Sequence, residues 1–204
     1  MSVTRFATRS ATRAVTRSVA RSVTRWGAAL ATAAALATGS AVLAAPQASA
    51  APYCGITWGS TAKTHPATVT APLTGVRAGR QTCFDRMVID LSGPVDGYDV
   101  RYVSQVLAEG SGLPVPLRGG AKLQVVVTAP AYDDNGNPTF APANPAELVP
   151  VAGWRTFRQL AWAGSFEGQT TIGLGVRARL PIRAFVLAGP GSGSRLVIDV
   201  AHAW

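Results

Sequence analysis

The chain has 204 residues, 48% of them hydrophobic and only 14% charged, with 19 Lys and Arg against 10 Asp and Glu. Its formal charge of +9 is unevenly spread: Arg5, Arg9, Arg13, Arg17, Arg21 and Arg25 lie in an opening segment without any acidic residue. Setting residues 1–50 aside leaves 13 basic (19 − 6) against 10 acidic residues, a net charge of +3 (13 − 10) and no basic tract, which excludes a nucleic-acid partner argued from overall charge.

The first fifty residues have the order of an export signal. A positive segment is followed by an apolar run from Gly27 to Ala45, and then by Pro46-Gln47-Ala48-Ser49-Ala50, a site of small residues. Cleavage after Ala50 is expected, leaving Ala51 as the new terminus and no stable membrane span. The alternative is retention of the apolar run as an anchor, because its length approaches that of a short spanning helix. The four-residue recurrence of the arginines would form a slowly drifting basic stripe on a helix, able to meet anionic lipid. A long signal n-region accounts for the same pattern. Cys54 follows Pro52-Tyr53 rather than a small residue, which argues against lipidation, and no Arg-Arg pair indicates the twin-arginine route.

The mature chain left by cleavage has 154 residues (204 − 50), enough for one domain with a core. Both cysteines, Cys54 and Cys83, fall in this part, and an even pair in an oxidising compartment reads as one disulfide. It would tie an N-terminal arm, residues 51–72, to the first long strand of a β-domain over residues 73–204. No metal or cofactor is expected, since two cysteines without a nearby His pair do not make a zinc site.

Gly and Pro are too dense for long helices, and short strand-like runs recur instead. Met87-Val88-Ile89-Asp90-Leu91 alternates Met87, Ile89 and Leu91 on one face with Val88 and Asp90 on the other, and Ser92-Gly93-Pro94 stops it. Tyr98 to Val103 reads as its return strand, and Leu123 to Val127 as a third. Ala129 to Pro150, with five prolines and Asp133-Asp134-Asn135-Gly136-Asn137, reads as a long surface loop. The acidic cluster partly matches a calcium loop, but its twelfth position is Asn144; a turn with Gly136 left-handed is the favoured reading. Trp154 to Trp162 would place Trp154, Leu160 and Trp162 on one side. Thr170 to Val176 groups Ile172, Leu174 and Val176 opposite Gly173 and Gly175. Ile182 to Leu187 and Arg195 to Val200 complete the set. The expected fold is all-β, a small sandwich or open barrel of about seven to eight strands.

Two strands echo each other: Arg86-Met87-Val88-Ile89-Asp90-Leu91 and Arg195-Leu196-Val197-Ile198-Asp199-Val200. An Asp within an apolar strand needs solvent or a partner, and an arginine on an adjacent strand is the simplest. Catalytic equipment is sparse. Only His65 and His202 are present, no Gly-x-Ser-x-Gly elbow occurs, and an Asp90/Asp199 glycosidase pair is disfavoured by the arginines close by. A binding segment is the better expectation: Trp154, Arg155, Arg158, Trp162, Phe166 and Glu167 combine rings that stack on sugars with guanidinium groups that grip carboxylates. At least one of the two tryptophans is expected in the core instead.

Asp85-Arg86-Met87-Val88-Ile89-Asp90-Leu91-Ser92-Gly93, Gly97 to Val103, Phe166-Glu167-Gly168, Leu180 to Leu187 and Arg195 to His202 together resemble the AMIN-like domain of secreted actinobacterial proteins, over residues 73–202. AMIN domains proper are β-sandwiches of cell-wall amidases and outer-membrane secretins, where they bind peptidoglycan and direct localisation. The resemblance therefore implies a secreted, non-catalytic envelope domain that binds peptidoglycan or another cell-wall polymer. Unlike in the amidases, no catalytic domain is expected after it. A docking module for an envelope protein is the second expectation, and a secreted glycan hydrolase the third.

Overall fold

The computed structural model describes residues 51–204. The expected export signal of residues 1–50 lies outside the described residues. Eleven strands succeed one another in chain order: β1 (Lys63–His65), β2 (Leu73–Arg80), β3 (Phe84–Leu91), β4 (Tyr98–Val103), β5 (Val106–Leu107), β6 (Pro114–Val115), β7 (Ala121–Val127), β8 (Phe157–Phe166), β9 (Gln169–Val176), β10 (Ile182–Ala188) and β11 (Ser194–Ala201). They form a five-stranded sheet in the order β1-β4-β7-β9-β8, a four-stranded sheet in the order β10-β11-β3-β2, and a small β5-β6 ribbon. Every pairing is antiparallel. This is the expected all-β sandwich, and it is not a closed barrel.

Alternation explains how the two sheets stack. Met87, Ile89, Leu196 and Ile198 point inward from the four-stranded sheet and meet Leu123, Val125, Ile172 and Leu174 from the five-stranded one, all fully buried. Full burial of such a side chain is worth about 1.5–3 kcal/mol, so these two inner faces dominate the stability of the fold.

One expected pairing is corrected. Residues 98–103 are not the return strand of 87–91: β3 pairs with β11 and β2, while β4 pairs with β1 and β7 in the other sheet. The connection through Ser92-Gly93-Pro94 crosses between sheets instead of turning within one. The arm is also more integrated than its label suggests, because β1 lies within residues 51–72 and extends the five-stranded sheet.

Cys54 and Cys83 form a disulfide, with their Cα atoms 6.2 Å apart, and join the arm to the start of β3 as expected. The arm is held a second time where Thr68 and Val69 donate their N–H groups to Asp96 at 2.8 and 3.2 Å, with the Thr68 hydroxyl donating as well. These bonds, led by that of the Thr68 hydroxyl, pull the Asp96 pKa down to about 2.

A buried polar cluster ties the sheets at one end. Asp85 takes an inward position on β3 and accepts the N–H groups of Thr156 and Phe157 at 2.8 and 2.9 Å. His202 Nε2 lies 3.1 Å from the other Asp85 oxygen, and the Thr156 hydroxyl donates to the Ala201 carbonyl. The start of β8 is thereby fastened to both β3 and the end of β11.

Candidate functional site

The outer faces of the two sheets have different fates. Gly173 and Gly175 leave the outside of the five-stranded sheet open to close approach at β9, and the chain itself fills that part. Leu117 and Val106 pack over Gly173, and the Arg118 carbonyl presses against Gly175. Gln159 accepts from Arg118 N–H at 2.8 Å and donates to the Ala146 carbonyl at 2.9 Å. The long loop of residues 129–150 then seals the β8 edge, where Leu148 N–H donates to Leu160 and Trp162 N–H donates to Pro145. Within that loop Gly136 is left-handed (φ 79°) and Asp133 accepts from the N–H groups of Asn135 and Asn137, so the acidic cluster is a side-chain-capped turn.

The outer face of the four-stranded sheet is mixed: Arg77 and Leu187 are exposed, Arg86, Asp90, Arg183, Phe185 and Arg195 are half-buried, and Val88, Val197 and Asp199 are buried. Its outward positions are Arg77 on β2, Arg86, Val88 and Asp90 on β3, Arg183, Phe185 and Leu187 on β10, and Arg195, Val197 and Asp199 on β11. Register sets them side by side. Arg183, Asp199 and Arg86 form one row with Gly79, and Leu187, Arg195 and Asp90 form another with Gly75. The arginine partners anticipated for both aspartates are present. Asp199, without any exposed side-chain surface, accepts from Arg86 Nε at 2.6 Å and Arg183 Nε at 2.7 Å. Asp90 is forked by Arg77 through contacts of 2.8 and 3.0 Å. These side-chain hydrogen bonds raise the pKa of Arg77 and Arg86 above the usual guanidinium value.

Aromatic rings flank the rows. Arg183 lies 4.3 Å from the ring centroid of Trp58, brought over by the disulfide-held arm, and 5.1 Å from that of Phe185. Arg86 lies 5.2 Å from that of Phe84. A cleft of about 240 Å3 opens beside these rows, lined by Arg77, Arg86, Arg195, Val88, Val197 and Leu187. A second hollow of about 390 Å3 lies by Tyr102, Lys122 and Arg179, but there Lys122 already donates to the Ser104 carbonyl and Arg179 to that of Ser60.

The aromatic segment expected to bind is spread along β8 and its flanks. Trp154 and Arg155 precede the strand. Trp154 stacks on Phe157 with centroids 6.0 Å apart and receives Arg80 at 5.7 Å. Arg158 donates to the carbonyls of Trp154 and Phe157. Trp162 packs against Phe140 of the loop. Phe166, half exposed, and Glu167, with a positive φ of 48°, form the turn at the far end of the strand. Both tryptophans are partly buried against the core. The structure therefore groups Trp154 with Arg158 and leaves Phe166 about 26 Å along the strand from Arg158, at roughly 3.3 Å per residue.

The arginines of β2, β10 and β11 lie outside the segment that the sequence marks for binding. A signal for them exists in the strand period: Arg86-x-Val88-x-Asp90, Arg183-x-Phe185-x-Leu187 and Arg195-x-Val197-x-Asp199 each place polar groups on the face opposite the core residues. The Asp85–His202 contact has no such signal, because its partners are far apart in sequence.

The fold and this face define a β-sandwich module with one cationic, aromatic-rimmed outer sheet. The family model of the AMIN-like domain matches residues 71–202, more than half of the chain, and the chain belongs to that family. Its members are associated with the cell wall or envelope, and the disulfide is consistent with an extracytoplasmic location. No curated protein and no solved structure matches it. Among the described residues no helix is long and apolar enough to cross a membrane.

Proposed function

We propose that this chain is a secreted, non-catalytic AMIN-like domain that binds peptidoglycan through the outer face of its four-stranded sheet. The observation that carries this reading is the composition of that face: four arginines, two aspartates and the rings of Trp58, Phe84 and Phe185 gathered on one outer sheet surface. Rings stack on sugar faces and guanidinium forks hold carboxylates, which is the chemistry of a glycan strand bearing peptide stems. The non-catalytic part of the reading is supported by the carboxylates themselves. Asp90 and Asp199 are each engaged by arginine, and a carboxylate committed to an ion pair is a poor acid–base catalyst.

Co-sedimentation of the full chain with purified cell wall at moderate salt tests it. Retention with the wall is expected, and protein left entirely in the supernatant would overturn it. The second reading, a module docking on an envelope protein by strand addition, draws on the β2 edge. Arg77 and Arg80 punctuate that edge, and charged residues on an edge strand work against pairing with another chain.

A further inference from the structure

We propose that the cleft between Arg77, Arg86 and Arg195 is a site for the terminal carboxylate of a short peptide whose last side chain is small and apolar. The inference rests on the envelope-binding reading for the source of its ligand, and on three features of the face for its chemistry.

The first is a charge imbalance. Arg77, Arg86, Arg183 and Arg195 share only Asp90 and Asp199. Asp199 serves Arg86 and Arg183, while Arg77 forks Asp90. Arg195 lies directly opposite Asp90 in the β11–β3 register, yet among the described residues it forms no ion pair. It makes one hydrogen bond, from a terminal nitrogen to the Ala188 carbonyl at 3.1 Å.

The second is an unpartnered donor. Arg195 Nε is shut off from water and has no hydrogen-bond acceptor among the described residues. Buried donors are nearly always satisfied, and one on a charged group is expensive to leave bare. An oxyanion entering the cleft supplies both the missing charge and an acceptor that a small turn of the guanidinium would meet.

The third is shape. Gly79 faces Arg86 across the β2–β3 pair, and an added Cβ there would meet only the Gln81 amide at 3.7 Å. Packing therefore does not require the glycine, and its missing side chain leaves room above Arg86. At about 240 Å3 the cleft is smaller than the roughly 300–1,000 Å3 of sites that enclose a whole small molecule, which suits the end group of a longer chain. Val88, Val197 and Leu187 give it apolar walls beside the guanidinium groups. A carboxylate carried on a small apolar residue matches both kinds of wall, whereas a bare phosphate uses only one.

The test titrates the full chain with N-acetyl-alanyl-alanine as the free acid, with its C-terminal amide and with inorganic phosphate, followed by calorimetry and by the NMR signals of the arginine Nε–H groups. The free acid is expected to bind and to shift the Arg195 signal, with the amide at least about tenfold weaker because the charge-assisted hydrogen bonds are lost. Arg195→Gln should weaken the acid to the same degree. Leu187→Glu is a second variant that spares the core: residue 187 is exposed and pairs with Arg195 across the strands, so the new carboxylate would occupy the guanidinium from within. Equal binding of acid and amide, or undiminished binding to both variants, would overturn the proposal. So would phosphate binding in the cleft more tightly than the acid, which would assign it to a polymer phosphate. Cell-wall sedimentation separates the two levels. Retention that persists in Arg195→Gln removes the cleft and leaves the envelope reading intact, while loss of wild-type retention removes the envelope reading and leaves the peptide titration to decide the cleft.

Discussion

The outsides of the two sheets are built from similar strands and finished differently. On the five-stranded sheet, Gly173 and Gly175 invite the chain in, and Val106, Leu117, Arg118 and the 129–150 loop close over β9 and the β8 edge, while Arg101 on β4 stays exposed. On the four-stranded sheet the outward positions carry arginine, aspartate and aromatic residues; the disulfide-held arm brings Trp58 against Arg183, Arg77 and Leu187 are exposed, and Val88, Val197 and Asp199 are buried. A face that buries its own chain is structural, and its polar groups are consumed by internal hydrogen bonds. The four-stranded face carries more guanidinium than carboxylate groups, and the proposed binding rests on that excess. The difference teaches that strand composition alone does not show which outer positions of a sandwich its own connections cover.

Perturbations of the shared frame should have the largest effects. Asp85→Ala strands the N–H groups of Thr156 and Phe157 and removes the partner of His202, and a loss of about 3–5 kcal/mol is expected in chemical denaturation. Removing the disulfide with Cys54→Ser and Cys83→Ser, across a separation of 29 residues, should cost about 3–4 kcal/mol on the chain-entropy account. It should also free Trp58 from Arg183, which a change in tryptophan fluorescence would report; unchanged emission would mean that the arm holds the four-stranded face without its covalent tie.

A smaller pair of substitutions separates the two faces directly. Gly175→Ala drives a Cβ into the Arg118 backbone carbonyl, so a loss of about 1–3 kcal/mol is expected from overpacking. Gly79→Ala meets only a flexible amide end and should be within about 0.5 kcal/mol of wild type or slightly stabilised, since alanine suits a strand better than glycine. Equal costs at the two positions would erase the contrast between covered and open positions.

The smallest expected effect is a local pH dependence at the arm. Asp96 has its pKa depressed to about 2 in the folded chain by Thr68 and Val69, against about 3.9 in an unfolded one. Its support is therefore fully present above about pH 3.9 and is lost as pH falls through about 2. Amide exchange at Thr68 and Val69 should accelerate over that window, and Asp96→Asn should abolish the change.

Much of this arrangement was legible in the sequence because strand period and inward burial coincide. Met87-x-Ile89-x-Leu91, Ile172-x-Leu174-x-Val176 and Leu196-x-Ile198-x-Val200 all face the core as their alternation requires. Cys54 and Cys83 pair, and the 129–150 segment is a loop. β2 is hidden in the sequence because Leu73-Thr-Gly-Val-Arg-Ala-Gly-Arg80 has little apolar alternation and carries a register shift near Gly75. β1, β5 and β6 are too short to show a period. The β3–β4 pairing misleads because a short Gly-Pro connection normally closes a hairpin, and here it crosses to the other sheet. Along β8, Leu160 and Trp162 pair with Leu174 and Ile172 and share the core side as their alternation requires, while Trp154 lies before the strand and a register shift between Phe157 and Gln159, and still packs against the core. The sequence marks the aromatic segment for binding because its residues are adjacent in the chain, whereas the arginines of the four-stranded face come from four strands.

Cell-wall sedimentation of two matched charge variants tests the central claim most directly. Arg77→Glu with Arg195→Gln alters the four-stranded face, while Arg101→Glu with Lys122→Gln makes the same change of charge on the other sheet, at exposed or half-buried positions. The account predicts that the first variant loses wall retention at moderate salt and the second keeps it. Equal retention of both, or loss confined to the second, would contradict the assignment of binding to the four-stranded sheet.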